Sequence, residues 1–361
     1  MLAGSNTSLH PINPSRRPHG DGMTGRFRIR DIASQAGLSE ATVDRVLHRR
    51  PGVSARAVRA VEQALTDLER QETQLRLTGR TFLIDVVMHA PQRFSDAVRG
   101  ALEAELPLLR PVVIRVRFHL RESWPVDDLL DTLDTIARRG SQGVLLKAPD
   151  VPEMVAAVDR LTTTGIPVVA LVTDLPTSRR AAYVGIDNRA AGATAAYLIQ
   201  QWLGDRPGSV LVTVSRGFFR GEEEREMGFR AAMRSWRLSR SVVEISDTDG
   251  LDATLRDRVD DCLSNDLTIN AVYSIGGGNV ATLDAFAAAG RECAVYIAHD
   301  LDVDNIQLLR QGRISAVLHH DLHTDMRHAC QVVMQTHRAL PTTPPPAPSQ
   351  IQVITPHNLP S

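Results

Sequence analysis

The stretch Ile29-Arg30-Asp31-Ile32-Ala33-Ser34-Gln35-Ala36-Gly37-Leu38-Ser39-Glu40-Ala41-Thr42-Val43-Asp44-Arg45-Val46-Leu47 decides how the N-terminal part folds. Ile32, Ala33 and Ala36 share one face of a helix beginning at Ile29. Gly37 supplies the positive φ that ends it, and Leu38 follows as a buried turn residue. Ser39 is a good N-cap for a second helix running to about Leu47, with Val43, Val46 and Leu47 on its inner face. Pro51-Gly52 breaks the chain. Ser54 then caps a third helix in which Val58, Val61, Leu65 and Leu68 recur at helical spacing. Three short helices with a tight glycine turn between the first two form the geometry that lays a recognition helix in the major groove of double-stranded DNA.

Charge supports an anionic partner at this end. From Arg26 to Arg80 there are eleven Arg against seven Asp plus Glu, whereas the whole chain of 361 residues has a net charge of −1, so the rest is acidic. Lys147 is the one lysine in the chain, which reads as a compositional habit and not as a site. Residues 1–25 carry Pro, Ser, Asn and Gly without an apolar block, so they read as a disordered leader and not as an export signal. No run of apolar residues is long enough for a membrane span. Cys262, Cys293 and Cys330 are widely spaced with no CxxC pair, which fits buried thiols in a reducing cytoplasm.

The stretches Ile29-Arg30-Asp31-Ile32-Ala33, Ala36-Gly37-Leu38-Ser39 and Ala41-Thr42-Val43-Asp44-Arg45-Val46-Leu47 resemble the headpiece of the lactose-repressor (LacI/GalR) family. The resemblance implies a transcription regulator, dimeric, with operator DNA and a small polar effector as partners. It places Glu40 and Ala41 where the recognition helix reads base edges. Arg45, one turn later, can donate to guanine N7 and O6. Ser39 and Thr42 can donate to phosphates, and His48 or Arg49 can reach the DNA backbone beyond the helix end. Asp44 stands where the family commonly has Ser, and His48 where it has Asn. Asp44 either restrains the Arg45 guanidinium, accepts from cytosine N4, or sits on a solvated face. The family's Tyr-x-Pro-Asn signal is missing from the linker, 71–80. Leu75 or Leu77 either wedges into the minor groove or extends the third helix.

After Gly79 strands alternate with helices, beginning with the apolar run Thr81–Met88, as expected of parallel sheets covered on both faces. Pro341 to Pro348 is too proline-rich for a helix and reads as a stiff loop leading to a strand at Ile351–Ile354. The expected class is α/β: a helix-turn-helix headpiece (26–70) followed by a two-lobed, doubly wound sensor (81–361). Lobe 1 is expected at about 81–185 and 297–322, and lobe 2 at about 186–296 and 323–361. Ligand then binds in the cleft beyond the carboxyl ends of the strands. Val184-Gly185-Ile186-Asp187-Asn188-x-x-Ala191-Gly192, Glu224-Arg225-x-x-Gly228-Phe229, Gly276-Gly277-Gly278-Asn279, Ala298-His299-Asp300-Leu301 and Asn358-Leu359-Pro360 resemble the periplasmic sugar-binding-protein fold that this family appends to its headpiece. The resemblance implies a sugar, polyol or cyclitol effector touched by Arg225. Phe94, Asp174, Asn279 and Asp300 also follow predicted strands and have suitable chemistry. His320 stands where Gln is common. Asp187 and Asn188 are expected to tie the crossover without touching ligand.

Other classes fit less well. His319, His320, His323, His328 and Cys330 have no closed-site spacing, so no metal is expected. Gly276-Gly277-Gly278 lacks a following Gly-Lys-Ser/Thr and reads as a loop passing close to ligand. No catalytic motif or cofactor loop stands out, and a solute-binding protein without a DNA role would carry an export signal and no headpiece.

Overall fold

Aliphatic runs separated by amphipathic stretches form the sheets of this chain, and small residues set how closely its helices cross. The structure is a computed structural model that describes residues 23–24, 27–215, 219–235, 240–246, 252–344 and 346–360. It divides into two units, Met1–Arg76 and Leu77–Ser361.

The first unit begins with a two-residue hairpin, β1 (Met23–Thr24) against β2 (Phe27–Arg28). The expected leader, 1–25, lies outside the described residues except for Met23 and Thr24, which form β1. Helices α1 (Ile29–Ala36), α2 (Glu40–Leu47) and α3 (Ala55–Leu77) follow. Ile32, Ala33, Val43, Val61 and Ala64 form the buried centre, with Val46, Leu47, Leu65 and Leu68 around it. Gly37 has φ +65°, and Leu38 N donates to Ala33 O across the turn. The expected separate linker at 71–80 is mostly helix, because no proline or glycine interrupts α3 before Gly79. Leu77 is buried, while Leu75 is exposed.

The second unit holds β3 (Thr81–His89), α4 (Gln92–Glu105), β4 (Val113–Arg121), α5 (Val126–Arg139), β5 (Gly143–Lys147), α6 (Pro152–Thr163), β6 (Val168–Leu171) and β7 (Ala182–Val184). These strands form a parallel sheet in the order β4-β3-β5-β6-β7. Then come α7 (Asn188–Leu203), β8 (Ser209–Thr213), α8 (Arg220–Ser235), β9 (Val242–Ile245), α9 (Asp252–Asn265) and β10 (Ile269–Ser274). The chain continues through α10 (Asn279–Ala288), β11 (Val295–His299), α11 (Val303–Arg310), β12 (Ala316–His319), α12 (Leu322–Thr336) and β13 (Gln352–Ile354). The second sheet runs β13-β12-β11-β10-β8-β9, with β13 alone antiparallel.

This order corrects the expected lobes. Both β11 and β12 hydrogen-bond into the second sheet, so 297–319 belongs to lobe 2 and not to lobe 1. Helix α12 does the reverse: Met326, Ala329, Cys330 and Val333 pack into the core of the first sheet, and only β13 returns to the second. A buried parallel strand reads as the same apolar run in either lobe, so the run does not say which sheet it joins. The chain thus crosses between lobes three times: after β7, after β12 and after α12.

Candidate functional site

In the first unit, Ser39 Oγ accepts from Thr42 N at 3.2 Å and shares a 2.8 Å hydrogen bond with Thr42 Oγ1. Ser39 Oγ thus caps the helix as an acceptor, one hydroxyl proton of the pair lies between the two oxygens, and the other is left for an outside acceptor. Glu40, Ala41, Arg45, His48 and Arg49 are all exposed. The Arg45 side chain has no partner among the described residues, so its guanidinium is available. Asp44 does not restrain Arg45. It pairs instead with His48 at 3.0 Å and with Arg50 at 3.0 Å, since both lie beyond the helix end on its own side. The helix ends with Arg49 at φ +52° and Arg50 N donating to Arg45 O. A left-handed residue after the C-cap is normally glycine. Here it turns Arg49 and Arg50 out of the helix.

The second unit holds a narrow cleft, with about 60 Å³ of room for the centres of water-sized spheres. Phe94 of α4, Arg225 of α8, Asn279 of α10 and Asp300 after β11 all line it, as expected. Arg225 reaches it because α8 crosses α7 closely. A Cβ at Gly192 would collide with the Arg225 carbonyl, and one at Gly228 with that of Arg189. Arg225 Nε donates to Asn188 Oδ1 at 2.8 Å, while its Nη2 is buried without a partner. Asn188 also donates to Val172 O and Tyr183 Oη, both at 3.1 Å, so it orients Arg225 besides tying the crossover. Asp187 caps α7 through Ala190 N at 3.0 Å.

Asp300 is held at φ +64°, and Asn305 Nδ2 donates to its carbonyl at 2.7 Å. Asn279 Nδ2 donates to Asn305 Oδ1 at 2.6 Å, and Asn279 Oδ1 receives the Tyr296 hydroxyl at 2.9 Å. Asn279 therefore mainly supports Asp300 through Asn305. The Asp300 Oδ1 atom is buried without a hydrogen bond, with His320 Nε2 behind it at 3.7 Å. His299 receives or gives a hydrogen bond with the Tyr273 hydroxyl at 2.8 Å, and burial next to Arg225 holds its pKa well below 6.5.

Two of the expected residues do not line the cleft. The Asp174 carboxylate is clamped by Arg180 and Leu175 N, and Val172 and Thr173 line the cleft in its place. Three residues past the strand end at Leu171, it turns into the loop, toward Arg180. His320 is 1% exposed and lies behind Asp300, with Nε2 3.7 Å from that carboxylate and Nδ1 2.5 Å from Asp325. It supports Asp300 and does not line the cleft.

The sequence reading passed over Lys147, at the end of β5, although the strand-end rule that found Asp300 applies equally there. It lines the cleft, donates to His89 O at 2.9 Å, and lies 4.0 Å from the Phe219 ring centroid. Burial, aided by Arg225, lowers its pKa to about 8, against the pull of Glu222 and Asp300. Glu222, Arg93 and Thr173 also line the cleft and carried no motif signal. Among the described residues no group of His, Cys, Asp and Glu could hold a metal ion, and no helix is long and apolar enough to cross a membrane.

A three-helix unit with an exposed capped helix, joined to a two-lobed body with a polar cleft, defines a ligand-responsive DNA-binding regulator. Comparison with known proteins places the chain within that class. Residues 94–336 match the periplasmic binding protein domain family, to which the chain belongs, and residues 28–69 match the bacterial regulatory proteins of the lacI family. The chain is thus a transcription regulator of lacI-family architecture. The HTH-type transcriptional regulator MalR of Streptomyces coelicolor is 29% identical over 76% of this chain and 72% of its own. The glucose-galactose binding protein GanP of Geobacillus stearothermophilus has a similar fold, with TM-score 0.69 and 21% identity over 78% of this chain and 100% of that one. A LacI-type regulator from Bacteroides fragilis gives TM-score 0.68 and 16% identity over 77% and 98%.

Proposed function

We propose that this chain is a cytoplasmic homodimer that binds a near-palindromic operator through Ser39–Arg49 and is controlled by a sugar-like effector held in the cleft. The single observation that carries the sensor half is the convergence on one cleft of Arg225, whose Nη2 is buried without a hydrogen-bond partner, and Asp300, whose carboxylate makes no hydrogen bond and is backed by the His320 imidazole at 3.7 Å: a donor and an acceptor. Adjacent hydroxyls match such a pair, since each hydroxyl both gives and accepts. Resemblance of the fold to sugar-binding proteins supports the same class. Arg225 comes from the second lobe and Phe94 from the first, so a ligand touching both favours one lobe arrangement over another. One headpiece buries too little DNA for sharp specificity, which favours a dimer reading two half-sites.

Selection of duplexes from a random pool by the full-length protein tests the DNA half. The reading expects enrichment of a single near-palindromic sequence. Equal retention of all duplexes, or of none, contradicts it.

A further inference from the structure

Arg93, Lys147 and Arg225 line the cleft wall with Glu222, Asp300 and Asp302, and more of its N–H groups than of its carboxylate oxygens are left without a hydrogen bond, which restricts what it can hold. Lys147 and Arg225 are both buried, and among the described residues neither has a carboxylate within ion-pairing distance. An ammonium has three N–H groups, and Lys147 gives one to His89 O at 2.9 Å. Arg225 has Nε–H on Asn188, Nη1 at a marginal 3.5 Å from Ile275 O, and Nη2 unpartnered. The acceptors nearby are largely taken. Glu222 receives Ser215 N at 2.9 Å and Ser215 Oγ at 2.6 Å, and Asp302 receives Arg93 at 2.8 Å. The Asp300 carboxylate makes no hydrogen bond among the described residues; its Oδ1 has the His320 imidazole behind it at 3.7 Å.

A neutral hydroxyl that accepts from Lys147 or Arg225 must pass its own proton to another acceptor, and the wall has few to give. A carboxylate accepts without donating, and its two oxygens suit one guanidinium and one ammonium side by side. We infer that the effector is a hydroxylated carboxylic acid of the aldonic or uronic type, whose carboxylate is received jointly by Lys147 and Arg225. A hydroxyl of the same molecule donates to Asp300. The inference rests on the sensor reading above and narrows its ligand class. A phosphate ester carries nearly two negative charges, and Glu222 and Asp300 on the same wall repel it more than a singly charged carboxylate.

The groups facing Lys147 are Glu222 and Arg225 from α8, Asp300 after β11, and the His89 carbonyl at the end of β3, with His299 on the same wall. Burial among these groups lowers its pKa to about 8. A bound carboxylate stabilises the ammonium and raises that value, so binding above pH 8 takes up a proton.

The test is a calorimetric and thermal-shift panel on the full-length protein. Its probes are the aldonic and uronic acids of common hexoses and pentoses, their neutral parent sugars, and the corresponding sugar phosphates. The expected result is an acid that binds about 10–100-fold more tightly than its neutral parent, as loss of charge-assisted hydrogen bonds requires. Its binding enthalpy at pH 8.5 should depend on the buffer's ionisation heat. Lys147→Met should erase the preference for the acid. Lys147→Arg, which keeps the charge but does not titrate, should retain much of the preference and lose the proton uptake. A neutral sugar that binds as tightly as its acid overturns the inference and leaves the sugar-sensor reading standing. A phosphate that binds tighter than the acid overturns the carboxylate assignment. A panel in which nothing binds overturns both readings.

Discussion

Arg45 is the residue proposed to read bases, because it is exposed on α2 and its side chain has no partner among the described residues. Arg45→Ala should cost about 1–3 kcal/mol on the selected duplex and scarcely change binding to random DNA. Equal losses on both duplexes, measured by titration at fixed salt, would show Arg45 to be a phosphate contact. The headpiece residues were largely legible in the sequence, since capping and turn chemistry are local. Ser39, Gly37 and Arg45 stand where their residue types predict. Partner choice was less legible. Asp44 pairs with His48 and Arg50 because the left-handed turn at Arg49 brings the chain back, and no local pattern announces an arginine there. In the cleft, Arg225, Asp300, Phe94 and Asn279 were found from strand ends and motifs. Lys147 was missed because its chemistry depends on burial by Phe219 and α8, which are distant in sequence.

At the scale of elements, the crossing of α7 and α8 is what aims Arg225. Gly192 and Gly228 allow backbone to meet backbone there, so any side chain forces the helices apart. Gly228→Ala should destabilise the protein by about 1–3 kcal/mol and weaken effector binding through displaced Arg225. Urea unfolding and calorimetry on the variant check both, and an unchanged unfolding midpoint contradicts the packing account. Long apolar strands such as β3 and amphipathic helices such as α5 could be read directly. Strands β9 and β12, four residues each, were not read, although β13, shorter by one residue, was. The continuation of α3 through the expected linker was one of two readings left open, and the residues of the linker itself do not choose between them.

For the whole molecule, buried histidines make stability depend on pH. Burial lowers the pKa of His319 to about 4 and holds that of His299 well below 6.5. An unfolded chain binds protons at these sites near pH 6.5 while the folded chain does not, so acidification favours unfolding. The urea midpoint should fall steadily between about pH 6.5 and pH 4. Replacing His319 with Gln should flatten part of that slope, and an unchanged slope contradicts the assignment. The lobe boundaries were the largest misreading at this scale, because strand-to-sheet membership is a property of pairing and not of composition. What the account claims above all is that one chain couples a ligand cleft to DNA reading. The most direct measurement titrates the full-length protein onto its selected duplex across a range of the tightest-binding ligand from the panel. The account predicts a change in duplex affinity of at least about fivefold at saturation, mirrored by an equal change in ligand affinity when duplex is present. Duplex affinity that stays constant from zero to saturating ligand would contradict it.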